Sequence, residues 1–209
     1  MTPDAILPLY DRVAPDWDRR RSRALFERGW LDRMLGVAPA HAGGRRVLDL
    51  GCGSGRPIAT YLADRGCAVT GVDGAAGMVA LFRQHLPRAE AIKADMRELA
   101  LGRPFDAILA WNSFFHLAPA DQEAMFGIFA SHAAPGAALM FTSGPEASER
   151  LGEVEGAPVY HASLDPDSYR ALLGQHHFTE LAFAPEDPDC AGHSVWLARF
   201  AREASGSVG

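Results

Sequence analysis

A short apolar run followed by three closely spaced glycines constrains this chain more than any other part of its sequence. Residues 47 to 50 suit a strand that is buried on both faces, and a helix-compatible stretch begins soon afterwards at residues 56 to 58. Between them lie Gly51, Gly53 and Gly55. Glycine is needed at such a turn because the backbone takes positive φ values and because a Cβ would keep a ligand away from the main chain. The run therefore predicts a buried strand that turns sharply into a helix around a bound ligand.

Spacing and charge in this turn decide what kind of ligand it suits. A dinucleotide-binding fingerprint needs its third glycine at position 56, and that position holds Arg56. Asp49 would face the pyrophosphate of a dinucleotide, and at about 6 Å with an effective dielectric of about 20 each charge pair would cost roughly 3 kcal/mol. A cationic ligand reverses the sign of that energy. S-adenosylmethionine has no phosphate and carries a sulfonium and an ammonium group, so Asp49 favours it over a dinucleotide.

The stretch from Val47 to Gly55 resembles motif I of the class I S-adenosylmethionine-dependent methyltransferases, and residues 186–190 resemble the Glu-Asp-Pro-Asp-Cys turn of one bacterial small-molecule group of that family. The resemblance implies an α/β fold with a Rossmann-like seven-stranded mixed sheet, mostly parallel with an antiparallel last strand, flanked by helices and preceded by an N-terminal helical cap. Strands at 178–184 and 194–200 agree with it, because the joint between them has no room for a helix and they should pair antiparallel. The resemblance also implies S-adenosylmethionine as cofactor, S-adenosylhomocysteine as product and no metal.

Acidic residues follow the second and third predicted strands. Strand 68–72 ends at Asp73, and strand 89–94 ends at Asp95. By the resemblance, Asp73 accepts hydrogen bonds from the ribose hydroxyls, and Asp95 binds the adenine amino group while Met96 packs on the ring. A helix N-cap for Asp73 and a solvated loop acid for Asp95 are the structural alternatives. The predicted cofactor-binding residues are Tyr10, Trp17, Asp49, Gly51, Cys52, Gly53, Gly55, Asp73, Gly74, Met78, Asp95, Met96 and Trp111.

The chain is expected to form an N-terminal helical cap over residues 1–43, a cofactor-binding domain over 44–202 and a flexible tail over 203–209. Residues 2 to 4, Thr-Pro-Asp, suit a helix start, and this helix is expected to end near Val13. A second helix is expected from about Asp16, because apolar residues recur there at intervals of three and four. They are Phe26, Trp30, Leu31, Met34 and Leu35.

Two segments are expected to cover the site. Tyr10 and Trp17 resemble the aromatic N-terminal segment that folds over the cofactor in many small-molecule methyltransferases, although both rings could simply anchor the helices to the core. Residues 144–162 are polar with little periodicity, which predicts a lid or substrate loop. A cavity closed by these two segments together with Phe114 would suit a small, partly apolar acceptor.

The segment after the fourth predicted strand, 105–111, lies across from the glycine turn, where open α/β sheets bind their ligands. It lacks the Pro-Pro-aromatic motif of amide- and nucleobase-amino methyltransferases, and it lacks the acidic ligands of the metal-dependent catechol type. His116 is the candidate catalytic base or acceptor contact, with packing at the start of the next helix as the alternative. Tyr160 and His161, at the end of the predicted lid, are weaker candidates of the same kind.

Composition limits the partners and the compartment. The chain has 209 residues, 48% of them hydrophobic, which fits one globular domain with a full-sized core. Its net charge of -6 would repel nucleic acid and anionic membranes, so a small-molecule partner is favoured. Cys52, Cys67 and Cys190 show no disulfide or zinc spacing. Residues 1 to 4 do not begin a secretory leader and no apolar stretch reaches membrane-spanning length, so a cytoplasmic protein is expected.

Methyl transfer from a sulfonium is an in-line displacement, so the protein mainly has to align the acceptor and exclude water. A base is needed only where the acceptor must lose a proton. Two other functional classes stay open. A nicotinamide oxidoreductase would share Asp73 but lacks the glycine at 56 and a Tyr-x-x-x-Lys pair, since the chain has a single lysine, Lys93. A non-catalytic cofactor-binding protein could share every cofactor residue.

Overall fold

The computed structural model describes residues 2–201 and contains nine strands and six α-helices in that range. The strands are β1 Arg46–Leu50, β2 Ala68–Asp73, β3 Glu90–Lys93, β4 Phe105–Ala110, β5 Ala133–Ser143, β6 Ser148–Val154, β7 Ala157–Ser163, β8 Phe178–Asp187 and β9 His193–Phe200. The helices are α1 Ile6–Arg20, α2 Arg28–Val37, α3 Ile58–Asp64, α4 Ala76–His85, α5 Pro119–His132 and α6 Pro166–Gln175. No helix within residues 2–201 is both long and apolar enough to cross a membrane. The predicted tail at 203–209 lies outside the described residues.

Seven strands form one mixed sheet in the order β3-β2-β1-β4-β5-β9-β8. Strands β1 to β5 pair in parallel, whereas β9 runs antiparallel to both of its neighbours, β5 and β8. The predicted fold class is therefore confirmed, including the antiparallel last strand. At the centre, Asp49 of β1 is level with Gly71 of β2 and Leu109 of β4, and the carboxyl ends of β1, β2 and β4 meet at one edge.

Both faces of the sheet are covered, which explains why β1 and β4 are apolar almost throughout. One core packs α2 and α3 on the sheet, with Leu31 and Leu62 fully buried. The other core packs α5 and α6 and is rich in aromatic rings, including Phe126 and Tyr169. The one acid within β4, Asp106, is buried and ion-paired with Arg46 at 2.8 Å, which ties β4 to the start of β1.

The first helix is longer than predicted. It does not end near Val13 but continues through Pro15 to Arg20, and the second helix begins at Arg28 instead of Asp16. Proline removes only one N–H from the helix, and buried side chains lie on both sides of it, Ala14 before and Asp18 after. Phe26 therefore lies outside the second helix and is 49% exposed, while the other four residues predicted for that face are buried.

The predicted loop at 144–162 is mostly an antiparallel hairpin, β6–β7, so the expectation of irregular structure is wrong. Its connection is a two-residue turn, Glu155-Gly156, with positive φ at both residues, 51° and 76°. Such turns match the twist of paired strands and favour glycine at the second position. The Glu-Gly pair was the available sequence signal, but charged residues on the exposed β6 hid the alternation that marks a strand.

Candidate functional site

The glycine turn has the backbone conformation that the sequence predicts. Gly51, Gly53 and Gly55 take φ values of 72°, 53° and 79°. A Cβ at Gly51 would lie 2.2 Å from the Cβ of Ser113, and one at Gly55 would lie 2.6 Å from a methyl group of Leu86. The first and third glycines are therefore required by the packing of the protein itself. A Cβ at Gly53 would lie 3.3 Å from the Trp17 ring, so α1 packs closely over this part of the turn.

A cavity of about 270 Å³ opens at the carboxyl ends of the central strands, between the glycine turn and α1. All thirteen predicted cofactor residues lie on its wall, as does His116. They come from α1 (Tyr10, Trp17), from the end of β1 and the glycine turn (Asp49, Gly51, Cys52, Gly53, Gly55), from the end of β2 and α4 (Asp73, Gly74, Met78), from the turn after β3 (Asp95, Met96) and from the end of β4 (Trp111). Their individual roles toward a cofactor remain predictions.

Asp49 is a buried acid without a protein partner. The residue is 4% exposed, and its carboxyl group accepts no hydrogen bond from any residue in the 2–201 range, although it borders the cavity. Burial, reinforced by the negative charge of Asp73, raises the pKa of Asp49 to about 7. An unpaired acid at the cavity wall provides a favourable position for a cation.

Asp73 differs from Asp49 because the main chain supplies it with donors. Its two carboxylate oxygens accept hydrogen bonds from the backbone N–H groups of Gly53 and Ala75, both at 2.9 Å. Burial raises the pKa of Asp73, and these two bonds act against that rise. The N-cap of α4 is Ala75, without a side-chain cap, so Asp73 is not the helix N-cap that the structural alternative named. Its bond to Gly53 joins the end of β2 to the glycine turn.

Asp95 is a paired acid, not a freely solvated one. It caps a short turn by accepting from the backbone N–H of Arg97, and both its oxygens also bond to the Arg97 guanidinium, at 2.7 Å for the closest contact. That side-chain bonding lowers the pKa of Asp95, so the group is a carboxylate at neutral pH. Arg97 reaches on to Asp121 of α5 at 3.1 Å. The Asp95 carboxylate is therefore held in place beside Met96 at the cavity wall.

His116 lies at the cavity wall, but both of its ring nitrogens are occupied. Nδ1 donates to the backbone oxygen of Tyr160 at 2.8 Å, because a carbonyl oxygen can only accept. The proton-free Nε2 then accepts from the hydroxyl of Tyr10 at 3.1 Å. Burial lowers the pKa of His116 to about 4, so the ring is neutral at physiological pH. These bonds join the turn after β4 to β7 and to α1. This structural role differs from the predicted alternative, in which His116 packs at the start of the next helix.

His161 is better placed than His116 to act as a base. Its ring borders the cavity 4.9 Å from the His116 ring and 4.8 Å from the Phe115 ring, measured between centroids. No hydrogen bond to its side chain is formed within the described part of the chain. Burial, with a contribution from the charge of Arg150 on β6, lowers the pKa of His161. A neutral imidazole with free nitrogens therefore faces the cavity from the hairpin.

Two aromatic residues that the sequence predicts at the site, Phe114 and Tyr160, do not line the cavity. Phe114 is fully buried among the rings of the α5 side of the core, and its neighbour Phe115 lines the cavity instead. The two alternate because a short helical turn follows β4 and sends successive side chains in different directions. The Tyr160 side chain points away from the cavity, and its hydroxyl donates to Glu149 at 2.7 Å.

Sequence reasoning missed Arg21 and Asn112. Arg21 borders the cavity with its guanidinium 5.3 Å from the centre of the Trp17 ring. It follows Trp17 by four residues on one helical stripe, and ending the helix near Val13 concealed that spacing. Asn112 has a left-handed backbone, φ 50°, and its N–H donates to the Thr142 hydroxyl at 2.9 Å. An asparagine directly after a buried strand was a usable signal, since asparagine tolerates that conformation.

The sequence of residues 47–136 matches a family model described as a methyltransferase domain. The cypemycin N-terminal methyltransferase of Streptomyces sp is 35% identical over 128 residues, covering 58% of this chain and 51% of that protein. The trans-aconitate 2-methyltransferase of Azoarcus sp. (strain BH72) is 38% identical over 148 residues, covering 62% of this chain and 56% of that protein. The chain thus spans about half the length of these two curated relatives.

Solved structures share the fold at lower identity. A DhpI complex with S-adenosylhomocysteine superposes with a TM-score of 0.72 at 19% identity, covering 96% of this chain and 98% of that one. S-adenosylmethionine-bound CalS10, an amino pentose methyltransferase from Micromonospora echinaspora, superposes with a TM-score of 0.69 at 21% identity, covering 88% and 93%. At these identities the likeness concerns the fold.

Proposed function

We propose that this chain is a class I S-adenosylmethionine-dependent methyltransferase, which transfers the methyl group of S-adenosylmethionine to a small-molecule acceptor. The observation that carries the proposal is the Asp49 carboxyl, which is buried at the cavity wall with no donor from the protein. Such a group is costly unless a cation or a proton accompanies it. S-adenosylmethionine, when bound, supplies a methyl carbon activated by the adjoining sulfonium.

The charges around the cavity fit the parts of this cofactor. Asp49 provides a carboxyl group and Arg21 a cationic guanidinium on the cavity wall, and this pair suits the ammonium and carboxylate of an amino acid. Asp73 and Asp95 are fixed acids farther along the wall, which suits ribose hydroxyls and an adenine amino group. This donor set supports a nucleoside with a zwitterionic tail.

The remaining wall suits a small, partly apolar acceptor. Ile6 and Leu7 of α1, Phe115 after β4 and Val154 of the hairpin supply apolar surface, and His161 lies among them. In our proposal His161 contacts the acceptor and accepts a proton where the nucleophile must lose one. His116 and Tyr10 instead hold the turn, the hairpin and α1 together. The hairpin and α1 exclude water from the reacting groups.

Two titrations test the cofactor. S-adenosylhomocysteine is expected to bind in isothermal calorimetry, and NADH is expected to give no binding heat. Both titrations are run at pH 8, where Asp49 is ionised and repels the pyrophosphate of NADH, which is the reason for the difference. Binding of NADH with no binding of S-adenosylhomocysteine would contradict the proposed function.

An acceptor screen tests the reaction. Methyl-labelled S-adenosylmethionine is incubated with small hydroxyl, carboxyl, amine and thiol compounds, and transfer of the label to one class is expected. If S-adenosylhomocysteine binds while no label moves across the whole set, a non-catalytic cofactor-binding protein becomes the better description.

A further inference from the structure

The two buried acids at the end of the central strands are unequally stabilised as anions. Asp73 accepts two backbone N–H bonds at 2.9 Å, whereas Asp49 accepts none from the part of the chain that the structure describes. Hydrogen bonds from fixed donors favour the ionised form of an acid, and a nearby negative charge disfavours it. Of the two groups, Asp49 is therefore the one that takes up a proton.

The other groups that face Asp49 do not relieve its charge. The thiol of Cys52 stays protonated, since burial and the two acids raise its pKa well above the usual value. The hydroxyl of Ser113, on the turn after β4, donates to the backbone oxygen of Leu50 at 2.6 Å. Tyr10 stays neutral, because burial raises its pKa to about 12. Arg21, directly after α1, and Arg56, directly after the glycine turn, border the same cavity, but neither forms an ion pair with Asp49.

We propose that Asp49 distinguishes S-adenosylmethionine from S-adenosylhomocysteine by proton exchange, an inference that rests on the proposed function. In the free protein the carboxylic acid holds its proton near neutral pH. A cationic ligand favours the carboxylate, so the O–H bond breaks and the proton leaves to the buffer as the ligand binds. S-adenosylhomocysteine lacks the sulfonium charge and therefore displaces this proton less completely. Rising pH consequently favours the cofactor over its product.

Calorimetric titrations of the wild-type protein with each ligand, in two buffers of different ionisation enthalpy, count the protons released on binding. Release is expected to be larger for S-adenosylmethionine than for S-adenosylhomocysteine at pH 6.5. The Kd of S-adenosylmethionine is expected to fall roughly tenfold between pH 6 and pH 8, because affinity scales with the ionised fraction of a group whose pKa is about 7. The Kd of S-adenosylhomocysteine is expected to change less.

Two isosteric variants assign the proton to its source. Asp49→Asn removes the titrating group, so its ratio of the two affinities is expected to be independent of pH. Asp73→Asn removes the neighbouring charge, so the pH dependence is expected to persist with its midpoint at lower pH. If Asp49→Asn does not fold, the proton count of the wild-type protein still decides.

Failure of this inference differs from failure of the proposed function. Binding of both ligands with equal proton release and a constant affinity ratio would overturn the role of Asp49 while leaving the methyltransferase proposal intact. Persistence of unequal release in Asp49→Asn would assign the proton to another group and also overturn the inference. No binding of either ligand would instead remove the proposed function on which it rests.

Discussion

At the scale of single residues, Asp49 is a charge that the folded protein tolerates poorly without a ligand. Its pKa is about 7 in the folded chain, against roughly 4 for an exposed aspartate, so the folded state holds the proton more tightly. The sign follows from linkage: the group does not destabilise the fold below pH 4, and stability falls as pH rises from 4 to 7.

The raised pKa of Asp49 predicts that removing this carboxyl group increases the free energy of unfolding more at high pH than at low pH. Compared with the wild type, ligand-free Asp49→Asn is expected to gain about 3 kcal/mol in the free energy of unfolding between pH 4.5 and pH 8. Urea unfolding of both proteins at the two pH values measures the gain. A stability difference that is the same at both pH values would contradict the raised pKa.

The two histidines at the cavity predict opposite consequences of substitution. His116→Ala removes two hydrogen bonds from a buried site and is expected to cost about 2 kcal/mol of stability, measured by urea unfolding.

His161→Ala removes no hydrogen bond, so it is expected to leave stability and S-adenosylhomocysteine binding nearly unchanged while slowing methyl transfer. Equal turnover of His161→Ala and the wild type on the acceptor found by screening would contradict the proposed role of His161 as the base.

The position of Arg21 at the cavity predicts that its substitution weakens cofactor binding, whereas substitution of Arg19 does not. Arg21→Gln is expected to raise the Kd of S-adenosylhomocysteine roughly tenfold, the effect of losing one charge-assisted hydrogen bond of about 1.5 kcal/mol. Arg19→Gln is the matched control, because Arg19 lies outside the cavity and pairs with Asp16 on the surface. Equal losses in both variants would indicate a long-range charge effect instead.

At the scale of elements, the sheet was predictable because its strands are short apolar runs with acids at their ends. β1, β2 and β4 are buried on both faces, and Asp49, Asp73 and Asp95 mark where three strands reach the cavity. The elements above the sheet were harder to predict. The first helix was predicted to end near Val13, but it continues to Arg20, with Ala14 and Trp17 packed against α4. The hairpin itself has one exposed strand, so the alternation of its side chains is weak.

The hairpin turn predicts how strongly β6 and β7 depend on one glycine. Gly156 has a φ of 76°, so Gly156→Ala is expected to cost about 1 kcal/mol and to speed amide exchange in β6 and β7 roughly fivefold. Gly174→Ala is the matched control, since Gly174 lies in α6 with open space around it. That variant is expected to leave exchange in the hairpin unchanged, and an equal acceleration in both would argue against turn strain.

At the scale of the whole molecule, α1 and the hairpin form a cluster apart from the two cores that flank the sheet. This cap cluster consists of Ile6, Leu9, Val159, Tyr160 and Ala162. It is tied to other elements by a few polar contacts, including His116 to Tyr160 at 2.8 Å and Asp11 to the N–H of Gly77 at 2.6 Å. Arg20 of α1 also pairs with Glu155 of the hairpin turn at 2.5 Å. The cap cluster therefore buries fewer apolar side chains than either of the two cores that flank the sheet.

This distribution predicts where a ligand slows exchange. Saturating S-adenosylhomocysteine is expected to slow amide hydrogen exchange in α1, the glycine turn and the hairpin, and to change β5 and β9 little, because the former border the cavity. Mass-resolved exchange of the free and bound protein measures both groups. Uniform slowing across all strands would mean that the ligand stabilises the whole fold instead of closing the cap cluster.

The separation of the cap cluster from the sheet also bears on how such chains diverge. The acids at the strand ends come from the sheet and its turns, whereas Ile6, Leu7, Val154 and His161 come from α1 and the hairpin. Substitutions on the second group leave the two main cores untouched. Under the proposed function, a lineage could therefore acquire a new acceptor by substitutions in two peripheral segments while the acids at the strand ends stay unchanged.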